Sequence, residues 1–375
     1  MKPMNPAGAY ITLGRVLFVV LFCFAFQLAA HPLDNWHSRY TNSAGALWGI
    51  TFGAEQFVAV GDGGSILTSA TGLTWSPQNS GTIQRLRSVV WGDGVFVAVG
   101  DSGTILSSED GTNWTTRICP GISGTLWEVA YGQGQFVTIA GTTLAATSVD
   151  GTNWTAYPAG TSLDGSCITY GRGLFLVESG AKTNSASLNG TNWFPLLSGA
   201  QKSLYTMTFA NGTFVALDHD LNSFTSTDGT NWIKRGSINP ANLARPAHIA
   251  YGGGHFVTVG GGYIHYTRDA ADWTASTNGY FYVGHSVAYG KGTFVAVNGL
   301  IIQSDPVVWL DAAGPGNFRI SAVPGMSCRI EVTSTPNIPD SWTTLETVPI
   351  TTCPQIWTDS NQSTTTRFYR AALLP

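Results

Sequence analysis

The stretch 86–117, LRSVVWGDGVFVAVGDSGTILSSEDGTNWTTR, decides the fold of this 375-residue chain. It contains short runs of Val, Ile, Phe and Thr bounded by Gly and Asp-Gly turns, the pattern of short antiparallel strands. Its parts recur along the chain. A first run reads LWGITF at Leu47–Phe52, LWEVAY at Leu126–Tyr131 and HSVAY at His285–Tyr289. A second run, FVAV, starts at Phe57, Phe96 and Phe294, and a third reads ILTS at Ile66–Ser69 and ILSS at Ile105–Ser108. A fourth run is expected to carry a tryptophan, as in Asn113–Thr115 and Asn153–Thr155.

The recurrence has a fixed period. Tryptophans stand at 36, 75, 114, 154, 193, 232, 273 and 309, and phenylalanines at 57, 96, 136, 175, 214, 256 and 294. From Phe to the next Trp the distance is 18 in five copies, then 17 and 15. That part of each unit is therefore rigid, and length variation falls outside it. A four-stranded sheet of this size cannot bury both faces alone, so copies must stack around an axis. The apolar runs lack strict alternation, as expected where both faces of a sheet meet neighbours. The predicted fold is all-β: a seven-bladed β-propeller over residues 31–310, followed by a small β-sandwich-like module over 317–375. Eight tryptophans serve seven phenylalanines, so one is surplus. The segment Asn35–Tyr40 is expected to complete the last blade beside Leu300–Ser304, with Val307–Leu310 as the alternative closing strand.

Between the third and fourth runs lies S-x-D-G-x-N-W, at 108–114, 148–154 and 226–232. Ser187–Trp193 has Asn189 in place of Asp, Thr267–Trp273 has Asp269 followed by Ala270, and Ser69–Trp75 has Thr71. Over residues 36–309 this resembles the Asp-box (BNR) repeat of sialidase-like and photosystem-assembly-factor-like propellers, with one residue fewer between Asp and Trp. The expected role is structural: Asp110, Asp150, Asp228 and Asp269 accept turn N–H groups, while Trp114, Trp154, Trp232 and Trp273 pack between blades. Each Asp lies alone on its own turn, so no metal site is expected there.

In a propeller the inter-blade loops and the turns between second and third strands share one end of the axial channel. That end should collect Trp48, Arg87, Trp127, Glu128, Tyr205, His248 and His285, with Tyr280 and Tyr282 from a loop and Asp218, His219 and Asp220 from a turn. Convergent aromatic and polar groups suit a glycan or protein ligand. The rival expectation is a sialidase-like glycoside hydrolase. Arg85, Arg87, Arg117 and Arg245 fall near the correct end, but hydrolysis needs paired carboxylates, which Asp62, Asp101 and Asp218 supply only if their turns converge. No nucleophile elbow or phosphate-binding loop is present, and no cofactor is expected.

The balance of 18 Lys+Arg against 22 Asp+Glu gives a net charge of −4, without the basic footprint of a nucleic-acid binder. Charged residues are only 11% of the chain, too few for solvent-facing helical bundles. At the N-terminus, Lys2 and Arg15 flank an apolar run, Val16–Phe26, and Ala29–Ala30 offer a cleavage point. This reads as an export signal over 1–30, too short to span a membrane. The mature chain is expected to be monomeric, not inserted in membrane, and secreted or at the cell surface, where disulfides persist. Cys328 and Cys353 are the expected pair, with Cys119 and Cys167 as a weaker one. The C-terminal patterns SWTTL at Ser341–Leu345 and FYR at Phe368–Arg370 resemble terminal modules of secreted bacterial multidomain proteins of Verrucomicrobia and Planctomycetes type.

Overall fold

A computed structural model describes residues 10–13, 16–20, 31–41, 45–141, 143–163, 167–178, 183–197, 204–238, 247–276, 284–307, 309–314, 317–322, 326–334, 342–351, 355–360 and 367–374. They fall into two compact units. One comprises Asp34–Gly290 with Phe294–Ser304, and the other the N-terminal segment to Leu33, Lys291–Thr293 and Asp305–Pro375.

Among the described residues the larger unit is built from seven four-stranded antiparallel meanders, numbered here 1 to 7 along the chain. Sheet 1 runs Leu47–Gly53, Gln56–Gly61, Ile66–Ser69 and Ser76–Gln78. Phe52 pairs with Phe57, Phe57 with Ser69, and Leu67 with Pro77. Sheet 7 takes its outer strand from the other end of the unit: Trp36–Thr41 lies antiparallel to Leu300–Ser304, with Trp36 opposite Ser304. The first strand of each sheet neighbours the first strand of the next, and that of sheet 7 neighbours that of sheet 1. The first strands therefore form a closed cycle, which is β-propeller architecture.

The cores lie between sheets. Val97, Val99 and Ile105 of sheet 2 pack with Leu126, Phe136 and Trp154 of sheet 3, and Val295 and Ile301 of sheet 7 pack with Leu47, Phe57 and Trp75 of sheet 1. Both faces of each second strand are thus covered, which is why Phe57–Val60 is fully buried without alternation. One contact repeats around the ring. The aromatic that ends each first strand lies 4.3–4.8 Å, centroid to centroid, from the Phe that begins the second. The same aromatic covers a glycine of the preceding sheet: Trp91 covers Gly53, Tyr131 covers Gly92, Tyr170 covers Gly132, Phe209 covers Gly171, Tyr289 covers Gly252 and Phe52 covers Gly290. A methyl group at any of these glycines would overlap the ring. Ala210 stands at the seventh position, beside Tyr251.

Three sequence expectations differ from the structure. Trp114 and Trp154 precede the fourth strands, which begin at Thr115 and Thr155, because their indole N–H groups turn back to bond the Gly111 and Gly151 carbonyls. Trp309 starts a strand, Trp309–Gly314, that pairs with Asn317–Ser321 and belongs to the smaller unit, so the propeller ends near Ser304 and not at 310. Cys119 and Cys167 do not bridge. They are buried in different inter-sheet cores, the first between sheets 2 and 3 and the second between sheets 4 and 5.

The smaller unit has a three-stranded sheet, ordered Trp309–Gly314, Asn317–Ser321 and Gln355–Thr358. Its other sheet is ordered Thr343–Pro349, Ser327–Thr333, Phe368–Leu374, Val16–Val20 and Tyr10–Leu13. Phe318, Ile330, Trp357 and Tyr369 share its core with the buried Cys328, whereas Cys353 lies outside the described residues.

The glycine contact yields a stability test. Gly132→Ala pushes a methyl into the Tyr170 ring and should cost about 1–3 kcal/mol, read as a lowered melting temperature. Gly124→Ala, where an added methyl meets nothing within 4 Å, should leave the melt within about 0.5 kcal/mol of the parent chain.

Candidate functional site

The S-x-D-G-x-N-W turns come first, since they hold the sheets in place. Asp110 Oδ1 accepts the backbone N–H groups of Thr112 and Asn113 at 2.9 and 2.8 Å, and Oδ2 accepts the Asn113 side-chain amide at 2.7 Å. Asp150 and Asp228 repeat this set. The Asn113 and Thr112 N–H groups favour the ionised form and hold the Asp110 carboxyl far below its usual range. Gly111 adopts φ 71° and presses on Gln56 and Val58 of sheet 1, and Gln56 Nε2 donates to Asp110 O at 2.7 Å. The turn of one sheet is thereby tied to the sheet before it. In the sixth copy Asp269 still accepts two N–H groups, but Ala270 holds φ 61° and the buried Trp273 Nε1 has no hydrogen-bond partner.

The axial cavity, about 500 Å³, is lined by the first strands of all seven sheets. Counting back from the aromatic that ends each first strand gives its layers. Four residues back lie Trp48, Arg87, Trp127, Tyr205 and His285, which form the rim. Three residues back Ser88, Glu128, His248 and Ser286 line the cavity as a polar ring, whereas Cys167 and Thr206 at the same offset are buried outside the lining. Two residues back the buried Ile50, Val89, Val129, Ile168, Met207 and Ile249 begin the hydrophobic core.

The rim is a stack of flat groups. The Trp48 and His285 rings lie 4.0 Å apart at 9°. Arg85 sits 4.8 Å over the Trp48 ring, necessarily on the face that His285 leaves open, and Arg87 sits 4.4 Å over Trp127. Each arginine is neutralised from behind. Arg85 Nε donates to Asp62 at 2.6 Å, and Arg87 Nε donates to Asp101 at 2.5 Å. Burial opposes ionisation of Asp62, but hydrogen bonds from Trp48, Arg85 and the Ala46 N–H outweigh it and hold the carboxyl below its ordinary value. His285 Nδ1 bonds Leu47 O at 2.9 Å, which fixes the ring, and burial lowers its pKa.

Below the rim, Glu128 Oε2 accepts the Ile168 N–H at 2.7 Å, and Oε1 lies 4.0 Å from His248 Nε2. Burial pushes the Glu128 carboxyl up to about 8, against the Ile168 N–H and the Cys167 thiol, which favour ionisation. Burial pushes His248 down to about 4. Between those values both side chains are neutral.

Seven of the expected site residues therefore line the cavity: Trp48, Arg87, Trp127, Glu128, Tyr205, His248 and His285. Asp218, His219 and Asp220 do not. Asp218 is 1% exposed and accepts the N–H groups of Asp220 and Asn222 and the Asn222 amide, so it shapes its own turn; the His219 ring lies tilted at 54° against Tyr205, 4.7 Å between centroids. Tyr280, Tyr282 and Arg245 lie outside the described residues. Arg117 donates to Ser107 on its own sheet. Ser88 and Ser286 also line the cavity and were missed, although the count back from Trp91 and Tyr289 would have found them. The paired carboxylates that hydrolysis needs are not formed: Asp62 and Asp101 are bound to arginines, Asp218 to its turn, and among the described residues Glu128 is the one carboxylate lining the cavity. Nor do three His, Cys, Asp or Glu side chains converge as a metal site among the described residues, and no helix there is long and apolar enough to cross a membrane.

No known protein family matches the chain, and no curated protein matches its sequence. Solved structures do match. YCF48 bound to D1 peptide superposes with a TM-score of 0.59 at 17% identity, covering 74% of this chain and 96% of that one. YCF48 from Cyanidioschyzon merolae gives 0.58 at 16%, covering 72% and 98%. Virginiamycin B lyase from Staphylococcus aureus gives 0.62 at 12%, also covering 72% and 98%. At these identities the likeness establishes the fold, a β-propeller, and nothing of its ligand.

The Glu128 environment predicts a pH effect on stability. Its folded value lies above the ordinary 4.5, so the stability contributed by the protonated carboxyl is complete below about 4.5 and is lost as the pH rises to about 8. Glu128→Gln removes this dependence. Its melting temperature should match the parent at pH 4.5 and exceed it by a few degrees at pH 9 in thermal scans.

Proposed function

We propose that this chain is an exported, non-catalytic binding protein, a seven-bladed Asp-box propeller that takes an extended segment of a partner protein at the mouth of its axial cavity. The observation that carries the reading is the rim itself. Trp48 stacks on His285, Arg85 lies over Trp48 and Arg87 over Trp127, and Asp62 and Asp101 brace the two arginines. Such a rigid aromatic and guanidinium surface loses little entropy on binding and offers flat faces to peptide groups. Trp127, 40% exposed, is the accessible anchor. A glycan is the weaker reading, because sugars stack on open aromatic faces and both faces of Trp48 are covered. YCF48, a structural neighbour, has been solved with a peptide bound, which supports a peptide ligand by fold analogy. The smaller C-terminal unit is proposed to serve surface association, and residues 1–30 to be removed on export; Val16–Val20, which pairs with Phe368–Leu374 in the uncleaved chain, then leaves Phe368–Leu374 as an edge strand of a mature monomer.

Two measurements test this. Panning a displayed random peptide library on the full chain should enrich a shared sequence, and Trp127→Ala should weaken binding of the enriched peptide at least tenfold with an unchanged melting temperature. Enrichment of no peptide, alongside binding on a glycan array, would replace the protein ligand with a glycan. Sequencing of the mature N-terminus should begin at His31; retention of Met1 contradicts export by cleavage.

A further inference from the structure

We propose that the axial cavity receives the positively charged end of a lysine or arginine side chain of the bound segment, with Glu128 as its counter-ion. This rests on the peptide-binding reading above and names the chemistry of one residue in that peptide.

The position of Glu128 carries the inference. It projects from sheet 3, and His248 from sheet 6, with two sheets between them one way around the ring and three the other. The 4.0 Å approach of Glu128 Oε1 to His248 Nε2 therefore spans the axis, one layer inside the aromatic rim of the cavity. A group entering from the rim meets this carboxyl directly below it.

The charges around the cavity are balanced except at this point. Arg85 is bound to Asp62 and Arg87 to Asp101, so each rim cation has its own anion. Among the described residues no lysine lines the cavity, and His248 and His285 are held toward the neutral form by burial. Tyr131, Tyr170 and Tyr205 complete the described titratable lining. Ionised Glu128 thus has the Ile168 N–H and the Cys167 thiol as donors but, among the described residues, no fixed positive partner. A buried carboxylate in that state is costly, and a cation delivered by a ligand removes the cost. The walls suit such a cation. Arg85 and Arg87 already rest on the faces of Trp48 and Trp127, and Tyr205 adds another aromatic to the same mouth. The volume of about 500 Å³ accommodates a basic side chain with its alkyl stem along the rings.

The test uses the full chain and the peptide enriched by panning. The enriched sequences should carry Lys or Arg at one fixed position. Acetylating that lysine, or replacing it with norleucine, should weaken binding to the parent chain at least tenfold in calorimetric titration. Glu128→Gln should erase the difference between charged and neutral peptides while still binding both. Because the carboxyl ionises only near pH 8, the parent should hold the charged peptide about tenfold or more tighter at pH 9 than at pH 6, whereas Glu128→Gln should show no such trend. His248 remains neutral throughout that range, and burial lowers the pKa of His285. An enriched peptide without a fixed basic position, or one unaffected by acetylation, overturns the cation site and leaves peptide binding standing. Failure to enrich any peptide overturns both. The acetylation comparison needs no variant, so misfolding of Glu128→Gln cannot mask the result.

Discussion

The structure depends on a ring settling onto a glycine. Each first strand ends in an aromatic side chain whose face rests where the preceding sheet has no Cβ, and six of the seven junctions are built this way. The same aromatic leans on the Phe of its own second strand, and that Phe leans on the Trp before the fourth strand at 6.2–6.5 Å in sheets 1, 2, 3 and 5. Glycine, first-strand aromatic, Phe and Trp therefore form one continuous apolar path from the inner strand to the outer turn. Close approach at the inner end and a hydrogen-bonded clamp at the outer end fix the angle between neighbouring sheets. Repetition of that angle brings the seventh sheet back to the first.

This geometry makes the cavity. Because each first strand is anchored at its aromatic, the residues three and four positions earlier are set at fixed depths around the axis. A rim and a polar ring arise from the same register, and no loop is needed to position them. The two turns that begin with Asp62 and Asp101 then supply carboxylates behind the rim, where they hold Arg85 and Arg87 flat against indoles. Those carboxylates brace the surface and are not free to act as acids or bases. Glu128, isolated between an imidazole and a thiol, keeps an unspent preference for positive charge.

Much of this was written in the sequence. The Phe and Trp series marked the strands, and their near-constant separation reflects the rigid stack that runs between them. The seven lining residues were legible because they stand at one of two adjacent offsets, four or three residues before the aromatic of their copy. The aromatic–glycine pairs were also present as Phe52-Gly53, Trp91-Gly92 and Tyr131-Gly132, but a glycine at the end of a hairpin strand reads as a turn former, and its contact with the next sheet has no local mark. Asp218, His219 and Asp220 misled for a similar reason. A run of polar residues signals a solvated turn, whereas Asp218 folds inward to satisfy the N–H groups of its own loop. The pairing of Glu128 with His248 joins residues on sheets 3 and 6, and only a closed ring brings them together.

A double-mutant cycle on Gly92 and Tyr131 tests the ring-on-glycine contact most directly. Gly92→Ala, Tyr131→Ala and the double variant would be compared by denaturant unfolding. If the Tyr131 ring rests on Gly92, the added methyl is harmful only while the ring is present, and the two substitutions should couple by more than about 1 kcal/mol. Costs that add without coupling would show that the glycine is needed for its backbone alone, and the account of how the sheets close into a ring would fail.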